Sequence, residues 1–409
     1  MKLENLPLEF QGAMPILRKL QEAGYEAYYV GGSVRDILLN KPIHDVDIAT
    51  SAFPAEVKAL FRKTIDVGIQ HGTVMVITKE ETYEVTTFRT ESTYQDYRRP
   101  DHVEFVRSLK EDLKRRDFTI NALAVGINGE VIDLFDGLND LRNKVLRAVG
   151  NPYERFHEDA LRMMRALRFV SQLGFNLQRE TFDAISEYHS LLAKISVERI
   201  NMEFVKLLMG SFRQAGMRSF VESECYIYCP GLRAYGEGLL SFAELVGPAI
   251  PLESQAWTLL IDQIHLPEDK IRSFLKEWKC SNQVIKDVQQ MVPALKYRKE
   301  NEWTAWKLYQ IGRELALSVD YLLYYFDQTP NLSKIRMMYQ TLPIHSLKDV
   351  VIKGNDLFSL FDRPKGPWIN EVLRAIEKGI VEGELKNQEK SLIQFAQKYL
   401  EEVDNGKID

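Results

Sequence analysis

Asp45 and Asp47 stand one residue apart in "HDVDIAT", about a dozen residues after the pair Gly31-Gly32. In a strand, residues i and i+2 project from one face, so the two carboxylates would point together while Val46 and Ile48 turn to the core. Carboxylates that close repel unless a cation lies between them. An all-oxygen ligand set suits Mg²⁺, which keeps waters and takes substrate phosphates. Two such ions about 3.5–4 Å apart form the clamp used in phosphoryl and nucleotidyl transfer. Gly31 and Gly32 let backbone approach a phosphate, the helix after them offers N–H groups, and Arg35 in its first turn adds a charge-assisted bond. A lone D-x-D is more often two surface aspartates on a solvated edge strand; the G-G-x-V-R-D run upstream makes this combination much more specific.

The elements that must hold these residues alternate up to about residue 150. "EAYYVGG" reads as a strand entering a turn, and "SVRDILL" as a short helix with Ser33 at its N-cap. "HDVDIAT", "TVMVIT" and "TYEVTTF" read as strands. "SLKEDL" opens with Ser108 and Glu111, a capping-box pair. "NALAV" and "EVIDLF" are further strands, joined through a hairpin turn at Asn128-Gly129. Past "GNP" (Gly150 to Pro152) helical periodicity takes over, in "AWTLLIDQIH", "IRSFLKEWK", "TAWKLYQIGRELALSVDYLLYYF" and "WINEVLRAIEKGIVEGEL". The expected fold is α+β: an N-terminal mixed α/β head followed by an elongated all-helical neck, body and tail. The boundaries are expected at 1–150 (head), 151–215 (neck), 216–295 (body) and 296–409 (tail).

A chain of 409 residues is too long for one core. No window approaches a membrane span, and "MKLENLPLEF" lacks the basic-then-apolar order of a signal peptide. Three cysteines, Cys225, Cys229 and Cys280, are too few and too uneven for a disulfide framework and point to the cytoplasm. With a net charge of −5, any nucleic-acid site must be a local basic surface.

"GGSVRDILLNKPIHDVDIAT" (31–50) resembles the signature of the polymerase-β-type nucleotidyltransferases, in the form carried by class II tRNA nucleotidyltransferases. "RRDFTINALA" (115–124) resembles the ribose-reading motif of that family, "HEDALRMMRALRFVSQLGF" (157–175) its base-reading motif, and "ISVERINMEF" (195–204) the helix start that follows. The tail "GPWINEVLRAIEKGIVEGELKN" is similar more loosely. One departure is "DLFDGLNDL" (133–141), where bacterial members tend to read D-P-F-G-G before D-L. The resemblance implies template-independent addition of C, C and A to the 3′ end of tRNA, from CTP and ATP with release of pyrophosphate.

The resemblance also distributes roles. Asp45 and Asp47 hold Mg²⁺, Gly32 and Arg35 steady the triphosphate, and Arg116 holds phosphates or ribose. Asn121 can bond a 2′-OH, the group that separates ribonucleotides from deoxyribonucleotides. Glu84 is either a third carboxylate beside the metals or a cross-strand partner of Arg89 or a lysine. In "EDALRMMRALRF" the apolar residues cover most of a helix circumference, yet Asp159, Arg162, Arg165 and Arg168 recur every three residues. Asp159 and Arg162 at i, i+3 would set an acceptor beside donors. Cytosine and adenine each present an amino donor beside a ring-nitrogen acceptor and match; guanine and uracil present oxygen beside N–H and clash. Arg165 and Arg168 drift about 60° per step around the helix, toward phosphates or structural partners.

The polar segment 87–105 reads as a long loop between strands, full length for a family in which that loop serves the final adenosine. Lys296, Arg298, Lys299, Lys334 and Arg336 are candidates for the tRNA backbone, against a solvated face. A homodimer is compatible with the sequence, and no membrane partner is expected. The rival activities are an A-adding specialist, a bacterial poly(A) polymerase and a non-catalytic RNA-binding scaffold. The acidic end "EEVDNGKID" is unlike the basic extension usual in the polymerases.

Overall fold

The computed structural model describes residues 1–68, 72–79, 81–91 and 103–405. They form two compact units, Met1–Glu244 with Glu277–Lys279, and Leu245–Lys276 with Cys280–Asp409.

The first unit opens with helix α1 (Leu8–Glu22), strand β1 (Ala27–Val30) and helix α2 (Gly32–Leu38). Strand β2 (Asp47–Thr50), helix α3 (Pro54–Leu60) and strands β3 (Thr64–Gly68), β4 (Thr73–Ile77) and β5 (Thr82–Thr87) follow. Next come β6 (Arg89–Glu91), β7 (Val103–Phe105), α4 (Leu109–Lys114), β8 (Leu123–Val125) and β9 (Val131–Asp133). A seven-stranded sheet runs in the order β3-β4-β5-β2-β1-β8-β9. Within it β2 and β5 are parallel, and every other pairing is antiparallel. The period-2 pattern places Val74, Val76, Val85 and Ile48 in the core. Tyr29 stacks on Phe10 of α1 at 4.2 Å and donates its hydroxyl to the Phe10 carbonyl at 2.7 Å.

Three local expectations are corrected. Ser33 does not cap α2; Gly31 occupies that position, and the Ser33 hydroxyl donates to the Val30 carbonyl at 3.1 Å. Ser108 precedes α4 in extended backbone but its side chain makes no capping bond. The span read as a loop from 87 to 105 has strands at its ends, with β6 paired to β7; its centre, 92–102, lies outside the described residues.

Helices α5 (Gly137–Asn143), α6 (Pro152–Glu158), α7 (Leu161–Leu173), α8 (Arg179–Tyr188) and α9 (Val197–Leu208) complete the part that bears on the site. No break occurs at residue 150. Strand β10 (Val145–Leu146) pairs in parallel with β11 (Asn176–Leu177), and the Thr181 hydroxyl accepts from the Ala148 N–H. The boundaries expected at 215 and 295 fall inside the continuous helices Arg213–Glu222 and Asn282–Glu300.

Helix α7 is buried nearly all round, as its composition dictates. It packs closely on the helix Arg213–Glu222, because Gly216 brings no side chain to the crossing. A Cβ there would sit 2.5 Å from Ser171 Cβ and 3.0 Å from its Cα. The Ser171 hydroxyl donates to the Leu207 carbonyl of α9 at 2.5 Å, so α7 is pinned on two sides.

The second unit is helical and contains its own core of Leu342, Ile344, Val350, Val372, Ile376 and Leu392. The helix expected to run unbroken through 304–326 divides into Ala305–Ile311, Arg313–Tyr321 and a 3-10 turn, Leu322–Phe326, with Gly312 at φ 79° between the first two. Three of the candidate tRNA-binding cations have protein partners here. Arg298 is buried against Asp320 at 2.8 Å, Lys299 meets Asp262 at 2.6 Å, and Lys334 meets Glu302 at 3.2 Å. No helix among the described residues is long and apolar enough to cross a membrane.

Candidate active site

Strand β2 begins at Asp47, so Asp47 lies at the strand's open end, with Asp45 two residues ahead of it in exposed, irregular backbone. The expectation that both sit on the strand is therefore met only by Asp47. Asp47 lies opposite Val30 of β1 on one side and opposite Glu84 of β5 on the other. Gly31 turns there with φ 75° and ψ −141°. A Cβ at this position would lie 3.1 Å from Asp47 Oδ2 and 3.6 Å from Arg116 Nη1. The positive φ is what requires glycine here, and the missing Cβ leaves the Asp47 and Arg116 side-chain ends room beside the backbone.

The Asp47 carboxyl is held above its usual range. Packing around it is the largest cause, although its edge stays open to solvent; Glu84 adds to the effect, Arg116 opposes it, and Asp45 contributes last. Concentrated negative charge on oxygen donors is what a hard divalent cation relieves. Asp45 and Asp47 are the carboxylates that could hold such an ion with waters and phosphates; no three acidic, His or Cys side chains among the described residues form a ligand group by themselves.

Cations face this edge. Asp112, buried at the end of α4, accepts from Arg115 Nε and Nη2 at 3.0 and 2.7 Å and from Arg116 Nη2 at 3.2 Å. Burial works to raise the Asp112 carboxyl, but the two guanidiniums outweigh it and hold it below the usual range. Arg116 Nη1 also donates to the Asn121 carbonyl at 3.3 Å. Arg35 is braced by Asp36 at 2.8 Å and donates Nη1 to Asn121 Oδ1 at 2.9 Å. Asn121 passes the link on, its Nδ2 donating to Asp117 Oδ1 at 3.1 Å. With both ends engaged, Asn121 connects Arg35 to Asp117.

Asp117 receives Arg165 Nε and Nη2 at 2.8 and 2.5 Å on its other oxygen. Burial would raise this carboxyl, yet Arg165 and the Asn121 amide drive it far below the usual range. Arg168 reaches Glu203 of α9 at 2.8 Å, and Arg165 lies 3.7 Å from the same carboxylate. Burial lowers the Arg168 guanidinium to about 10. The Phe169 ring lies under Arg35, Arg165 and Arg168, with centroid distances of 5.2, 5.7 and 4.2 Å.

The pair expected to read a base edge is not joined. The expected single helix breaks at Asp159, which ends α6 in extended backbone and accepts the N–H of Leu161, the first residue of α7, on Oδ1 at 3.1 Å. Asp159 Oδ2 accepts from Arg199 of α9 at 2.8 Å. Arg162 instead donates to Glu158 Oε2 at 2.8 Å and to the carbonyls of Arg155 and Arg115 at 3.2 and 2.9 Å. Both side chains still line one cavity of about 880 Å³, as does every expected site residue except Asp45. Arg199 lines it too, with its Nη1 buried and without a hydrogen-bond partner among the described residues. Arg199 and Glu203 were not singled out beforehand. The signal available was their i, i+4 spacing inside "ISVERINMEF", which puts both on one face of α9.

The model of the poly A polymerase head domain matches residues 27–147, that of the RNA and SrmB-binding site of polymerase A residues 174–235, and that of tRNA nucleotidyltransferase domain 2 residues 250–396. A CCA-adding enzyme of Enterococcus faecalis is 56% identical over 97% of this chain and 98% of its own. One of Ligilactobacillus salivarius is 50% identical over 98% and 100%. The crystal structure of the Bacillus stearothermophilus CCA-adding enzyme in complex with CTP superimposes with a TM-score of 0.92 at 41% identity, covering 98% of this chain and 100% of that one. Identity this high along nearly the full length, carried on the same fold, means that the chain belongs to the CCA-adding enzyme family.

Proposed function

We propose that this chain adds C, C and A to the 3′ end of tRNA at the cavity between the main sheet and α7, in the cytoplasm, with Mg²⁺ as the metal. The observation that carries the reading is that one cavity holds two chemistries. The Asp47–Glu84 carboxylate edge lies in it together with Asp159 and Arg162, an acceptor and a donor able to pair with a base.

Asp45 and Asp47 would hold the Mg²⁺, which would neutralise charge at the reacting phosphate and lower the pKa of the attacking hydroxyl. The chain's own groups do the rest. Gly31 and Gly32 give the triphosphate room at the end of β1. Arg35 and Arg116 sit beside them with orientations fixed by Asp36, Asn121 and Asp112, so little reorganisation is needed when phosphates bind. Asp159 offers an acceptor to the amino group of C or A, and Arg199 holds that carboxylate in place. Arg162 reaches the ring nitrogen by exchanging Glu158 for the base. Arg165 and Arg168, tied to Asp117 and Glu203, set the wall on which the base rests. Relatives named as CCA-adding enzymes, and a solved relative in complex with CTP, support tRNA, CTP and ATP as the substrates.

The test is incubation with tRNAs ending before CCA, after C and after CC, each with single labelled nucleotides, reading product length. Two C additions followed by one A are expected. Addition of A alone to a CC end, or long A tails, would replace this reading with an A-adding or poly(A)-forming activity.

A further inference from the structure

The Thr73–Thr86 pair on the same sheet has no part in the chemistry so far. The two hydroxyls lie 3.1 Å apart across β4 and β5, are only partly buried, and both line the cavity. Thr86 is two residues beyond Glu84 on β5, so both project from one face. Across the ladder Glu84 faces Asp47, and Thr86 faces Thr73.

We infer that this pair binds the terminal ribose of the tRNA being extended, a subsite that rests on the reading above. The argument is directional. Displacement at a phosphate is in line, so the attacking oxygen enters opposite the leaving pyrophosphate. The phosphate-side groups, Gly31, Arg35 and Arg116, lie on the β1 flank of Asp47. The nucleophile then comes from the β5–β4 flank, where Glu84, Thr86 and Thr73 lie. The hydroxyls match a ribose. Their mutual bond consumes one hydrogen and one lone pair, leaving one O–H donor and further acceptor capacity facing the cavity. A 2′-OH both donates and accepts, and the 2′ position of a deoxy sugar does neither.

The experiment is single-turnover CTP addition to two tRNAs that lack CCA, one ending in a ribonucleotide and one in a 2′-deoxynucleotide, with the wild-type chain, with Thr73→Val/Thr86→Val and with Thr86→Ser. Valine keeps the shape and strand preference of threonine, so the sheet is retained. The wild-type chain is expected to prefer the ribose end by about two- to tenfold, the size of one neutral hydrogen bond. The double valine variant is expected to lose that preference while keeping its KM for CTP, and Thr86→Ser to keep the preference. An unchanged ribose preference in the valine variant, or no preference in the wild type, overturns the subsite. Failure of the wild-type chain to add C to either tRNA would instead overturn the activity.

Discussion

Asp47 shows how a single side chain can cost stability to serve chemistry. Its carboxyl is held above the ordinary range by packing, Glu84 and Asp45. A raised carboxyl means that the folded chain binds this proton more tightly than the unfolded chain. The folded state is therefore favoured at acid pH, and the penalty is complete once pH exceeds the folded pKa. Asp47→Asn is expected to raise the melting temperature of metal-free protein at pH 7 while lowering nucleotide incorporation by about a thousandfold or more. Thermal melts with and without Mg²⁺, beside a single-turnover assay, check both halves. Asp117 is the opposite case, with its carboxyl driven far down by Arg165 and Asn121 despite burial. Its contribution is present above the unfolded pKa of about 3.9 and is lost as acid protonates the folded group. Asp117→Asn is expected to cost about 3 kcal/mol, the lower end for a broken buried pair because Arg165 keeps Glu203 at 3.7 Å. The urea midpoint at pH 7 measures it, and the difference from wild type should shrink toward pH 2. Asp159→Ala removes the acceptor for the amino group of C and A. Use of CTP and ATP should fall and relative use of UTP and GTP rise; an equal slowing of all four nucleotides would make Asp159 structural.

Helix α7 is the element on which specificity turns, and its seat depends on what is absent at Gly216. Gly216→Ala puts a methyl 2.5 Å from Ser171 Cβ, which no rotamer of Ser171 can relieve. A loss of about 1–3 kcal/mol is expected from overpacking. Because α7 carries Arg162, Arg165, Arg168 and Phe169, a rise in KM for both nucleotides should accompany it. Adding Ser171→Gly removes the nearest of the atoms in conflict, so the double variant should be less destabilised than the two single effects summed. Strict additivity in denaturant unfolding would mean that the crossing is not the point of strain.

At the scale of the molecule the net charge is −5, while the proposed substrate is a polyanion. Binding must then rest on local cation patches. Affinity for tRNA is expected to fall steeply with salt as phosphate contacts release counterions. An affinity that stays flat between about 50 and 200 mM salt would show that no such surface operates. Arg298, Lys299 and Lys334 should contribute little to that slope, since each already pairs with a carboxylate in the second unit.

Much of this was legible in the sequence because it is local. Alternation located β1, β4 and β5, glycines marked the turn at Gly31, and the D-x-D after G-G-x-V-R-D located the carboxylate edge. The partners of the charged row in "EDALRMMRALRF" were not legible. Helical spacing joined Asp159 to Arg162, but the Asp159 carboxylate satisfies the first free N–H of α7 and breaks the helix beneath itself. Its remaining oxygen goes to Arg199, forty residues away, and Arg165 finds Asp117 forty-eight residues back. A buried guanidinium takes whichever carboxylate the packed helices bring within reach, and that is settled by the close seating of α7 between α9 and the Gly216 helix. Periodicity determined that this helix would be buried with its charges; only tertiary packing decided which charge each one would meet.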